Sequence, residues 1–454
     1  MARMFGTNGV RGVVNKDMTV QLAMQMGKAV GTVFPGTAAV AMDTRTSGTM
    51  LKNALCAGLM SVGSSVSFLG VVPTPALQHY VKSHGWVSCG VMITASHNPP
   101  EFNGIKLVAP DGTEASRAQE ELIEAKYAER IPAVDGASVG WYSESPGADQ
   151  AYVDAIVSKV DAEAIRKAGL TVVLDCSNGA SFRTSPMLLS RLGVRAITLN
   201  GNPQGEFPGH YSEPTAENLR DLASLVRETG ADLGIAHDGD ADRCVFVDGR
   251  GGYVEGDLSL AVLAKWVVVA RGGGEVVTPV ATSSVVQAAV EKAGGTVVYT
   301  AVGSPTVARR MMAGGAVFGG EGNGGLIFPD FQYCRDGAMS AAMMLECVAK
   351  AGPLADQIRS LPVYFTEKRK VACPDAVKEG VIRFVDTSTE GAVKDRTDGL
   401  KITSAMGWVL LRPSGTEPIF RIIAESRDEE DAKELADKYQ TMVEGFIASL
   451  AIGS

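Results

Sequence analysis

"TVVLDCSNGASFRTSPMLLSRLGVRAITLN", residues 171–200, runs from an apolar strand through a Ser/Asn loop and an amphipathic helix to a glycine turn and a second strand. The same plan returns in "TAAVAMDTRTSGTMLKNALCAGLMSVGSSVSFLG" at 37–70 and in "EVVTPVATSSVVQAAVEKAGGTVVYTAVG" at 275–303. Each segment reads as a βαβ unit, and three of them spread along the chain imply three α/β domains. The last ninety or so residues follow another rule. Two β-like runs, "GWVLLRPSG" and "PIFRIIAES", precede the charged helix "RDEEDAKELADKYQTMVEGFIASL", as in a smaller α+β domain. Gly, Pro and polar residues gather near 135–150, 248–256 and 352–362. The expected domains are therefore 1–145, 146–250, 251–360 and 361–454.

Composition narrows the class. At 454 residues and 45% hydrophobic content the chain exceeds what one core supports. Its seven cysteines are odd in number and never form a C-x-x-C pair, which argues against a disulfide framework or a zinc site and fits a reducing cytoplasm. No secretory pattern precedes "FGTNGVRG" at Phe5, and the longest apolar run, 258–270, is too short for a membrane span and carries Lys265. A net charge of −9 without a basic cluster excludes the dense positive patch that nucleic acid or an anionic membrane requires. Any anionic ligand must be held by a local constellation, and the sequence is silent on oligomeric state.

Four loops carry candidate chemistry. In "LGIAHDGDADRCVFVDG", Asp238, Asp240 and Asp242 alternate between two apolar runs, so in an extended chain their carboxylates share one side and suit a hard cation. An EF-hand is excluded, because Arg243 and Gly249 stand where that loop needs Gly and Glu. "FGGEGNGGLIFPD" matches G-x-G-x-x-G formally, but Leu326-Ile327-Phe328-Pro329 follows where a dinucleotide site must open a helix. Glu321 and Asn323 there can grip hydroxyls, and a plain hairpin turn is the equal alternative. "RPSGTEPIFRI" sets Arg412, Ser414, Gly415, Thr416 and Arg421 in or beside one turn between strands. Small residues, hydroxyls and guanidinium forks in such a turn make a phosphate cradle, though a bare hairpin has the same outline. The fourth loop, "TASHNPP", breaks an apolar strand at 94–100 and is made of ordinary loop residues. Beside a metal site and a phosphate cradle, its Ser96 becomes a candidate phosphoryl carrier.

These loops, in this order, resemble those of the α-D-phosphohexomutase superfamily. The likeness runs through "FGTNGVRG", "DTRTSG", "VPTPAL", "TASHNPPEFNGIKL", "LDCSNGA", "PGHYSEPTAENL", "DGDADR", "GGEGNGG", "RDG" and "RPSGTEP". It implies four domains around a central cleft: three related α/β units and a C-terminal α+β domain of the TATA-binding-protein-like type. It implies a phosphoserine at Ser96, one Mg²⁺ per chain held by Asp238, Asp240, Asp242 and the Ser96 phosphate, and a hexose 1,6-bisphosphate as intermediate and activator. Arg11 and Arg243 fall near the phosphoserine. Lys106 matches the general acid/base, assisted by His97, and burial beside other cations is expected to lower its pKa. Ser304 and Thr306, in "TAVGSPTV", fall where the family reads its sugar, with Glu321 and Asn323 on the ring hydroxyls and Arg412, Ser414, Gly415, Thr416 and Arg421 on the distal phosphate.

The implied reaction interconverts hexose 6-phosphate and hexose 1-phosphate. The form "G-E-x-N-G-G" is similar to that of archaeal members. Phosphoglucosamine mutase is the first reading, because compact chains of this length that open on "FGTNGVRG" resemble glucosamine mutases. A phosphomannomutase/phosphoglucomutase of dual specificity is the alternative, and a sugar phosphatase or a non-catalytic sugar-phosphate sensor are the readings from other classes.

Overall fold

The protein is described here by a computed structural model covering residues 4–6, 8–389, 391–415 and 417–452. Three α/β sheets repeat one strand plan. In the first, Thr37–Met42 lies parallel between Ser65–Val71 and Val87–Ile93, and Val87–Ile93 then turns back as a hairpin into antiparallel Phe102–Val108. In the second the corresponding strands are Thr171–Asp175, Arg195–Leu199, Leu233–His237 and Cys244–Asp248. In the third they are Gly274–Pro279, Gly295–Thr300, Phe318–Glu321 and Gly325–Phe328. Extra edge strands complete the sheets: Val10–Val13 and Tyr142–Glu144, Tyr253–Val254, and Gln332–Arg335. The three segments read from sequence as βαβ units are βαβ units.

The fourth sheet is wholly antiparallel, ordered Phe365–Ala372, Ile419–Ser426, Trp408–Pro413, Leu400–Thr403 and Val393–Asp395, and is covered by the helix Glu429–Ile452. Its core, built on Val371, Val409, Phe420, Ile422 and Tyr439, is separate. The first three sheets share a continuous apolar core running from Ala39 and Leu77 through Tyr152 and Val172 to Phe318 and Leu345. Among the described residues, only a small cluster around Val280, Trp408 and Leu410 packs the third sheet against the fourth.

All seven cysteines are buried and free. Among the described residues no helix is long and apolar enough to cross a membrane.

The repeat matters because of its hairpin tips. The connection between third and fourth strands is residues 94–101 in the first unit, 238–243 in the second and 322–324 in the third. Those are the serine, aspartate and glycine loops singled out from the sequence. The fourth sheet presents Ser414, Gly415, Glu417 and Pro418 between Trp408–Pro413 and Ile419–Ser426.

Candidate active site

Backbone contacts between units bring the tips together. Thr74 N–H donates to Asp240 O at 3.0 Å, and Cys244 N–H to Gly324 O at 3.0 Å. Gly239 lies so close to the serine loop that a Cβ there would stand 2.6 Å from Ser96 O. Gly324, at φ +86°, would bring a Cβ within 2.6 Å of Cys244 O. A side chain at either position would push the loops apart.

At the junction Ser96 Oγ donates to Asp238 Oδ2 at 2.8 Å and lies 3.3 Å from His97 Nδ1. Ser96 is buried and left-handed, at φ +53°. The three aspartates do converge, their carboxylate atoms lying within 4.8 Å of one another. They do so from a tight turn with Ala241 at φ +55°, not from the extended chain expected, because the chain must reverse here to enter the strand Cys244–Asp248. Asp240 Oδ1 and Asp242 Oδ1 are buried with no hydrogen-bond partner. Orphaned carboxylate oxygens beside Asp238 Oδ2 and Ser96 Oγ form a hard-oxygen donor set that fits a divalent cation. This is a candidate metal site.

Charged neighbours divide the carboxylates. Burial, then Asp242 and Asp240, pushes the Asp238 carboxyl up to about 7. Burial also acts on Asp240, but Lys106 outweighs it, by charge and hydrogen bond, and with Thr74 holds that carboxyl well below the usual range. Asp242 is likewise lowered, its burial outweighed chiefly by Arg335 and Lys106. Lys106, 2% exposed, donates from Nζ to Asp240 Oδ2 at 2.5 Å and Asp242 Oδ2 at 3.0 Å. Burial pulls its pKa down, yet Asp240 and Asp242 together move it up, opposite to the direction expected from the sequence. The reason is that carboxylates, not cations, are its nearest charged neighbours. His97 is driven down to about 3 by burial and by Arg243 and Arg11, and is neutral. Arg11 Nη1 donates to Asn98 Oδ1 at 2.9 Å, and Arg243 Nε, buried and without a hydrogen-bond partner, sits 3.8 Å from Asp238 Oδ2.

The remaining expected residues form two outer groups. Glu321 Oε1 accepts from Gly303 N–H at 3.1 Å, and its Oε2 lies 3.9 Å from Arg335 Nη1. Ser304 Oγ donates to Glu114 Oε2 at 2.7 Å. Asn323 is exposed at the tip of a hairpin and accepts from Gly325 N–H inside its own turn. Arg412 and Arg421 face each other across the fourth sheet, like charges in register that an anion would reconcile. Arg412 Nε donates to Asp398 Oδ2 at 2.7 Å, and the same oxygen accepts from Val302 N–H at 2.9 Å, which ties this group to the 301–304 loop. Ser414 and exposed Gly415 sit at the turn. Thr416 lies outside the described residues.

Four family descriptions match in chain order. Phosphoglucomutase/phosphomannomutase alpha/beta/alpha domain I matches residues 2–132, domain II 150–252, domain III 255–364 and the C-terminal domain 366–441. The chain belongs to this family. It is a phosphohexomutase, an isomerase within the α-D-phosphohexomutase superfamily. It is similar to a phosphoglucomutase/phosphomannomutase of Thermococcus kodakarensis, 41% identical over 443 residues, covering 96% of this chain and 97% of that protein. It is also similar to a probable phosphoglucosamine mutase of Methanopyrus kandleri, 42% identical over 447 residues and 98% of both chains. The crystal structure of a phosphoglucomutase/phosphomannomutase family protein from Burkholderia thailandensis, 26% identical, superposes with a TM-score of 0.85 over 97% of each chain.

Several residues of this phosphohexomutase site were quoted in sequence motifs without a role. Thr74, in "VPTPAL", donates to Asp240 Oδ2 at 2.5 Å, and Arg335, in "RDG", donates to Asp242 Oδ2 at 2.6 Å. Lys378 had no signal at all. Its Nζ reaches the carbonyls of Ser414 at 2.6 Å and Glu417 at 2.7 Å and ties the two residues together.

Proposed function

We propose that this phosphohexomutase interconverts hexose 6-phosphate and hexose 1-phosphate through a phosphorylated Ser96 and a hexose 1,6-bisphosphate, with glucosamine as the preferred sugar. The carrying observation is the Ser96 hydroxyl at 2.8 Å from Asp238, beside two buried carboxylate oxygens without partners. The domains 1–145, 146–250, 251–360 and 361–454 supply one loop each: the nucleophile, the metal ligands, the sugar grip and the phosphate cradle.

Asp238, Asp240 and Asp242, with an oxygen of the Ser96 phosphate, are the groups that would hold one Mg²⁺. Bound there, such an ion would supply charge neutralisation for the transferring phosphoryl group. The chain's own groups do the rest. In the forward half-reaction the free sugar hydroxyl attacks phosphorus and the Ser96 Oγ–P bond breaks; of the pair assigned to acid/base work, neutral His97 can take the hydroxyl proton, and Lys106, held as an ammonium by Asp240 and Asp242, is the acid that returns one to Ser96 Oγ. The bisphosphate turns end for end, and Ser96 takes the other phosphoryl group. Arg11 and the unpartnered Arg243 Nε offset phosphate charge. Glu321 and Asn323 grip ring hydroxyls and Ser304 and Thr306 line the sugar, while Arg412, Ser414, Gly415, Thr416 and Arg421 hold whichever phosphate is idle. Phosphoryl transfer rewards such alignment more than covalent chemistry. The fourth sheet, with a core of its own and a small apolar contact to the third, is built to close over the ligand and exclude water.

A dual phosphomannomutase/phosphoglucomutase is the second reading, because relatives bearing the two names are equally similar. Glucosamine, glucose and mannose 1-phosphates assayed side by side with Mg²⁺ and a bisphosphate decide between them. A preference above about tenfold reflects roughly 1.4 kcal/mol of transition-state binding. Ser96→Ala is expected to abolish isomerisation, as is removal of divalent ions. Retention of the parent rate in either case refutes the phosphoserine mechanism.

A further inference from the structure

One side chain holds the nucleophile loop from beneath. Arg45 is 2% exposed and follows the strand Thr37–Met42. Its Nε donates to Asp43 Oδ2 at 3.1 Å. Nη1 donates to the carbonyls of Pro99 at 2.6 Å and Phe102 at 2.8 Å, and Nη2 to those of Ser96 at 2.9 Å and Asn98 at 2.5 Å. A guanidinium offers five N–H donors in a fixed planar fork. All five are engaged here, three of them on the loop 94–101 and a fourth on Phe102, the first residue of the strand that follows it.

The loop sequence fits this arrangement. In a trans peptide the carbonyl and the following N–H point opposite ways, so drawing a carbonyl inward leaves an N–H to be satisfied on the far side. Asn98 and Pro99 are followed by Pro99 and Pro100, which have no N–H, so these two inward carbonyls orphan nothing. At Ser96 the inward carbonyl turns the His97 N–H to the face away from Arg45.

The nucleophile itself is in an unfavourable conformation. A non-glycine residue at φ +53° costs on the order of 1 kcal/mol and persists only where its surroundings over-determine it. Ser96 is held on both sides: Arg45 takes its carbonyl, and its N–H donates to Thr94 Oγ1 at 2.8 Å, which in turn donates to Asp43 Oδ2 at 2.6 Å. The second unit closes over the guanidinium, with the Phe207 ring centroid 5.0 Å from Arg45 Cζ.

We propose that Arg45, fixed by Asp43, is a positioning residue for phosphoryl transfer: it locks the left-handed turn that aims Ser96 Oγ at Asp238. This rests on the reading of Ser96 as phosphoryl carrier. Lysine at this position keeps the charge but loses the planar fork.

The test compares Arg45→Lys, Asp43→Asn and Ser96→Ala with the parent, each with Mg²⁺ and hexose 1,6-bisphosphate, and checks folding by circular dichroism and urea unfolding. A folded Arg45→Lys is expected to lose about a hundredfold in kcat while KM for the hexose 1-phosphate stays within about threefold, because misplacing the reacting group leaves the ligand's own contacts intact. Turnover within about threefold of the parent, or a rise in KM that matches the fall in kcat, overturns the inference. If Arg45→Lys does not fold, the shape-preserving Asp43→Asn decides: about tenfold lower kcat at constant KM supports the role, and parental kcat overturns it. An active Ser96→Ala sinks the phosphoserine reading itself. An inactive Ser96→Ala beside a fully active Arg45→Lys removes Arg45 alone.

Discussion

Replacing Lys378 by methionine isolates the fourth sheet's share of ligand binding. Methionine keeps most of the stem and removes the ammonium, so the carbonyls of Ser414 and Glu417 lose donors at 2.6 and 2.7 Å. Bonds to a charged group contribute about 1.5–3 kcal/mol each; Glu417 is exposed and water replaces its lost donor, while Ser414 is buried and its carbonyl is not so compensated, which sets the net cost at about 2 kcal/mol. The ion pair with Asp375, whose side chain is 82% exposed, adds little. A carbonyl bound from behind turns the Gly415 N–H outward, toward the cradle. Releasing it is expected to lower kcat/KM for a hexose 1-phosphate by about tenfold to thirtyfold, mostly through KM, since the idle phosphate is held equally in ground and transition states. Steady-state isomerisation kinetics, with urea unfolding to verify the fold, measure this. A folded Lys378→Met protein with kcat/KM within about twofold of the parent refutes the reasoning.

Three further changes test other parts. Burial pushes the Asp257 carboxyl up to about 6 from an ordinary 3.8, so the unfolded chain ionises first, stability falls as pH rises between those values, and the deficit persists above them. Asp257→Asn is expected to add about 3 kcal/mol at pH 8 and little at pH 4, and equal urea midpoints for mutant and parent at pH 8 contradict it. Glu425, buried in the fourth sheet, accepts from Ser284 N–H of the third unit at 2.8 Å and from Trp408 Nε1 of its own sheet at 2.9 Å; Glu425→Ala is expected to cost about 3 kcal/mol and speed proteolysis at 360–364, and unchanged cleavage contradicts that. Lys106→Met is expected to lower turnover at least about a hundredfold, and a normal turnover number removes Lys106 from the mechanism.

Much of the site was legible because its chemistry is local. Three aspartates in five residues, a serine before a double proline and a Ser-Gly turn between arginines each announce a function by composition. What stayed hidden acts at long range. Arg45 stands 51 residues from Ser96, Lys378 lies 36 residues before Ser414, and Glu114 meets Ser304 across 190 residues. These are ordinary charged residues in ordinary elements, and nothing in their neighbourhoods shows which distant carbonyl or hydroxyl they reach. The direction of the Lys106 shift is not legible in the sequence for the same reason: its sign depends on which charges lie within a few ångströms, and here those are Asp240 and Asp242.

By itself, the sequence determined the three α/β units, an α+β fourth domain and the identity of the loops, since hydrophobic periodicity and turn chemistry are properties of short stretches. Only the tertiary structure decided that three of those loops are the same hairpin tip of a repeated sheet. It also decided that the aspartates converge from a turn, and that the Ser96 loop is held by a guanidinium from the loop after a neighbouring strand. Those outcomes depend on how whole sheets pack, and packing is set by contacts between residues far apart in the chain.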